Sequence, residues 1–81
     1  MERKTEREKD LEALKVLLGH WIQHNYSHNE SYQEWMEKCE KHGLSEVAAE
    51  LQKAIVSFNE ATGFLIEAQK NFARLELDVK H

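Results

Sequence analysis

Lys38-Cys39-Glu40-Lys41-His42-Gly43-Leu44-Ser45-Glu46 is the stretch that decides the fold. Gly43 can adopt the left-handed conformation that ends a helix, and Lys38 and Lys41 stand where cations favour a helix C-terminus. Ser45 is a good N-cap, with Glu46 in the first turn that follows. One helix therefore ends and another begins within a few residues. So short a connection makes the two helices antiparallel.

The residues on either side carry the matching periodicity. Upstream, Leu11, Leu14, Leu18, Trp21, Asn25, His28, Tyr32, Trp35 and Cys39 follow alternating steps of three and four, a heptad a/d seam. Downstream, Val47, Leu51, Ala54, Phe58, Ala61, Leu65, Ala68, Phe72, Leu75 and Val79 follow the same rule. Thr5-Glu6-Arg7-Glu8 has capping-box spacing, so the first helix is expected to begin near residue 6. The expected fold is all-α: one hairpin domain over residues 1–81, with helix 1 over about 6–42, a turn at 43–45 and helix 2 over about 46–78. Asn25, Ser27, Asn29 and Ser31 are poor helix formers, and Ser27 and Ser31 each precede a glutamate by three residues. A kink or break near residues 27–31 is the alternative; the unbroken helix is preferred because the heptad phase survives the site.

Composition narrows the function. The 81 residues include no proline, three glycines and 32% charged side chains, which fits long helices and not tight-turned β-folds. The net charge of −4 is spread with lysines interleaved, so nucleic acid is not an expected partner. No apolar run approaches the roughly 20 residues that cross a bilayer, and the charged N-terminus has no signal-peptide core. The single cysteine, Cys39, fits a cytoplasmic protein.

A hairpin of this size has a marginal core of its own. Leu17, Met36, Ala48, Ile55 and Ile66 widen the apolar face beyond a two-helix seam. Surplus apolar face points to a homodimer that closes a four-helix bundle, with Trp21, Trp35, Phe58, Leu65 and Phe72 as interface anchors.

His20, His24 and His28 stand four residues apart. An i,i+4 histidine pair is the spacing used by helical zinc sites. Successive members turn about 40° round the axis, so two of the three can share an ion. Folding at Gly43 sets His28 opposite Phe58-Asn59, His24 opposite Thr62-Gly63 and His20 opposite Ile66-Glu67. Asn59 and Glu67, with Glu60, are then candidate extra ligands or outer acceptors. Gly63 is a candidate gap for Trp21 or His24, or merely a tolerated glycine. Two plainer readings stay open. Asn25 and His28 could form a polar layer bonded to Asn59 or Thr62 that fixes register, or the histidines could act as a pH-responsive switch. No catalytic constellation stands out, so no enzyme is expected.

The run His20-Trp21-Ile22-Gln23-His24-Asn25-Tyr26-Ser27-His28, continuing to Tyr32 and Trp35, resembles a small uncharacterised prokaryotic helical-hairpin domain. The likeness extends to Gly43-Leu44-Ser45-Glu46-Val47-Ala48 and Asn59-Glu60-Ala61, covering about residues 11–72. That domain occurs in archaea and anaerobic bacteria, sometimes attached to a nickel-related accessory protein of carbon monoxide dehydrogenase maturation. The resemblance implies metal handling, sets Ni²⁺ beside Zn²⁺, and makes a metal-related accessory protein a candidate partner. The expected function is a non-catalytic carrier, sensor or accessory that holds the metal on His24 and His28, assisted by His20. The alternative is a metal-independent interaction or oligomerisation module.

Overall fold

The computed structural model describes residues 3–80, with side chains for residues 3–77. Two helices fill it, α1 (Glu6–Lys41) and α2 (Ser45–Lys80), each 36 residues long. They lie antiparallel in a rod of 64 × 22 × 13 Å.

Local chemistry sets both ends of α1. The Thr5 hydroxyl oxygen accepts from the Glu8 backbone N–H at 3.1 Å, which satisfies one of the free amides of the first turn. At the other end Gly43 takes φ 77°. The Leu44 N–H then donates to the Cys39 carbonyl at 2.8 Å and the Gly43 N–H to the Glu40 carbonyl at 3.1 Å, the paired bonds of a Schellman turn. The turn keeps its expected length of three residues but lies one residue earlier, at 42–44. Ser45 is already helical, and the Leu44 carbonyl accepts the first bond of α2, from Ala48 N–H at 3.0 Å. α1 passes through residues 27–31 without a break. The weak propensity of that segment is overridden by packing, because His28 and Asn29 within it, and Tyr32 and Met36 just after it, pack towards α2.

The hairpin register is as expected. The His28 and Phe58 rings lie 6.0 Å apart, the Asn29 and Asn59 amides are bonded, and Lys15 pairs with Glu76 at 3.4 Å near the open end.

The buried line departs from the expected seam by one residue. In α1 the buried side chains are Leu18 and Met36, while Trp21 and Trp35 remain 41% and 57% exposed. Met36 stands five turns from Leu18, so α1 keeps the straight-helix period of 3.6 and not the heptad period of 3.5. In α2 the buried positions are Ala48, Ile55 and Thr62, each one residue after Val47, Ala54 and Ala61. Leu51, Phe58, Leu65 and Phe72 are half-buried. The apolar stripe of each helix is about 100° wide. The other helix covers one edge of that stripe, and the expected seam marks its middle. The side chain of Val79 lies outside the described residues.

Candidate metal site on the histidine row

α1 presents His20, His24 and His28 on successive turns. His24 and His28 turn towards each other, with their Nε2 atoms 2.9 Å apart and ring centroids 4.5 Å apart at 80°. One imidazole N–H donates to the lone pair of the other, and the tautomers decide which. His28 is half-buried and is held from behind by Tyr32 and Phe58, whose centroids lie 5.9 and 6.0 Å from its own. His24 is exposed. His20 is the next ring along, stacked on His24 with centroids 6.0 Å apart and planes 25° apart.

Two imidazole nitrogens on one tetrahedral ion with 2.0–2.1 Å bonds sit about 3.3 Å apart. The His24–His28 pair needs only a small opening to take that geometry. The remaining expected ligands are elsewhere. The Asn29 Nδ2 donates to the Asn59 Oδ1, and both residues border the opposite side of the hairpin with Tyr26 and Glu30. Glu67 is exposed and paired with Lys70 at 3.4 Å. Among the described residues no three His, Cys, Asp or Glu side chains converge as a metal-holding group. One chain therefore brings together two imidazole donors and a neighbouring third.

The polar layer also differs from expectation. It is built by Asn29 and Asn59, one residue round from Asn25 and His28. The Thr62 hydroxyl is satisfied within its own helix, donating to the Phe58 carbonyl at 2.7 Å. Asn29 Oδ1 is buried without a partner among the described residues. A strict 3.6-residue period counted from Leu18 passes through Ile22, Asn25, Asn29 and Met36, so Asn29 was discoverable from the sequence. Gly63 makes no gap for a ring, since a Cβ built there meets nothing within 4 Å.

The residues expected as interface anchors sit on the partly covered stripe. Phe58, Leu65 and Phe72 are half-buried, and Trp21 and Trp35 lie at its outer edge. Lys38 Nζ rests 4.4 Å from the centre of the Trp35 ring.

Residues 14–72, well over half of the chain, match a family described as a domain of unknown function, DUF8180. The chain belongs to this family. The matched span of the DUF8180 domain takes in the histidine row, the turn and most of α2. No curated protein and no solved structure matches the chain. No helix among the described residues is long and apolar enough to cross a membrane.

Proposed function

We propose that this DUF8180 domain is a non-catalytic, cytoplasmic helical module that binds a divalent transition metal, Ni²⁺ or Zn²⁺, on His24 and His28. His20 assists from the adjacent turn. The protein works as a homodimeric carrier, sensor or accessory, with a metal-related accessory protein as a candidate partner. The observation that carries this reading is the 2.9 Å approach of the two Nε2 atoms on a row backed by Tyr32 and Phe58. Imidazole is a ligand for both metals, and the single cysteine is not near enough in sequence to supply a thiolate.

Calorimetric titration with Ni²⁺ and Zn²⁺ tests it, using the wild type, His24→Gln and His28→Gln. Each substitution is expected to weaken binding by at least about tenfold. Equal binding by all three proteins would end the metal reading. The second reading, a metal-independent interaction module, draws on the exposure of Trp21 and Trp35. It expects an assembly that chelators leave intact and that Trp35→Ala weakens.

A further inference from the structure

Each helix carries more apolar surface than it buries against the other, and both place the surplus on the same side of the hairpin. Leu14, Ala68 and Leu75 border the groove on that side, whereas Lys15, Gln69 and Ala73 border the opposite groove. Position by position, α1 contributes Leu17, Trp21, His24, His28 and Trp35 to the first side, and α2 contributes Val47, Ala54 and Ala61. Glu50, five turns from Ala68 and so on the same side, stands at its margin; no other charged residue falls on it between Leu14 and Trp35, or between Val47 and Leu75, in a chain that is 32% charged. The opposite side carries Glu30 and Glu37 beside Asn29 and Asn59.

The size of this face decides what covers it. The α1 stripe from Leu11 to Cys39 is about 42 Å long, and two helices abreast are about 20 Å wide. That is roughly 850 Å² per chain, close to the ~800 Å² per partner of a stable protein interface. The core beneath it is thin: among the described residues the buried apolar side chains are Leu18, Met36, Ala48 and Ile55. A face with so little charge matches itself, and two stacked hairpins make a four-helix bundle.

We infer that a second copy of this chain docks on the Leu14–Trp21–Ala61–Leu75 face with its turn at the opposite end, and that the two His24–His28 pairs meet at the two-fold axis to share one metal ion. The interface stands on the face alone; the shared ion rests on the metal reading proposed above. The position follows from matching the stripes. That of α1 is centred on Asn25, so full overlap puts the axis at Asn25. The midpoint of the His24–His28 pair lies one residue from it. The two pairs are then about 3 Å apart along the bundle. With turns at opposite ends, α1 packs on α1 of the second copy at about 8–10 Å, whereas turns at the same end would set them on a diagonal of about 13 Å. Four imidazoles complete the tetrahedral set that one chain leaves half filled.

Four measurements test this on the full chain. Sedimentation of chelator-treated protein should give a dimer. A spin label on Glu40→Cys, in a Cys39→Ala background, should report about 45 Å between copies, against less than about 25 Å with turns at the same end. Ala61 and Ala73 are both exposed on the hairpin but on opposite sides. Ala61→Glu should raise the dimer dissociation constant by at least about a hundredfold, and Ala73→Glu should leave it nearly unchanged. Ni²⁺ should saturate at one ion per two chains. A monomer, a short label distance, or equal effects of the two glutamates would overturn the interface. Saturation at one ion per chain would overturn the shared site. A dimer with the long distance that takes up neither Ni²⁺ nor Zn²⁺ would overturn the metal reading and support the interface. If Ala61→Glu fails to fold, the label distance still decides the geometry.

Discussion

Replacing Gly63 with alanine should make the protein more stable. Gly63 lies inside α2, has no positive φ, and is exposed. A Cβ built on it meets nothing within 4 Å, so alanine enters without a clash. Helix-interior glycine is about 0.8–1.0 kcal/mol less favourable than alanine, largely because the unfolded chain has more conformations to lose. The expected gain is therefore about 1 kcal/mol per chain. For a domain of this size that raises the melting temperature by about 4–8 °C. Thermal melts by circular dichroism measure it, at one fixed chain concentration, because self-association would couple melting to concentration. Gly43→Ala is the opposing control: φ of 77° strains any residue with a Cβ, and about 1 kcal/mol should be lost. Gly19→Ala should add a second gain. Its Cβ would lie 3.9 Å from Gln69 Nε2, an ordinary contact. The level of Gln69 is six residues from Gly63, about 9 Å, so the two gains should add. Gly63 is turned away from the face assigned to the second copy. A loss of stability in Gly63→Ala would refute this reasoning, because it would mean that something packs on that side.

The Asn29–Asn59 pair gives a second test: Asn59→Ala strands a half-buried amide and should cost about 1–3 kcal/mol in urea melts, whereas Asn29→Leu with Asn59→Leu should recover most of it. Thr5→Ala removes the α1 cap and should cost about 1 kcal/mol, read as faster amide exchange confined to the first turn. Tyr32→Leu removes the ring packed beside His28, and should weaken Ni²⁺ binding less than His28→Gln does while leaving the dimer intact by sedimentation. Protons compete with the metal for imidazole nitrogens, so titrations repeated from neutral into mildly acidic buffer should give progressively weaker binding, and a pH-independent affinity would point to ligands other than histidine.

The hairpin was legible because its signals are local. Gly43 after Lys41-His42, and Thr5 three residues before Glu8, specify backbone bonds that need no distant partner, and both formed. The register followed from the turn alone. The buried line was less legible, because apolar periodicity finds the middle of a stripe and not the edge that a single neighbour covers. Val47, Ala54 and Ala61 are as apolar as Ala48 and Ile55, yet only the latter set is buried. The polar contacts turned on the same offset: Asn29 displaced Asn25 and His28 from the interhelix bond, and Asn59 went with it, away from the histidines. That displacement has a physical meaning. In a solitary pair of helices, selection for a core would centre each stripe on the other helix. Here both stripes are rotated to the same side by about half their width, which is the arrangement of a bundle whose centre lies between four helices. Trp21 and Trp35 are surplus to the hairpin and fit such a centre, and His24 and His28 stand between them. The one-residue disagreement between pattern and burial thus supports the inferred second copy, and the histidine pair lies on the face assigned to it.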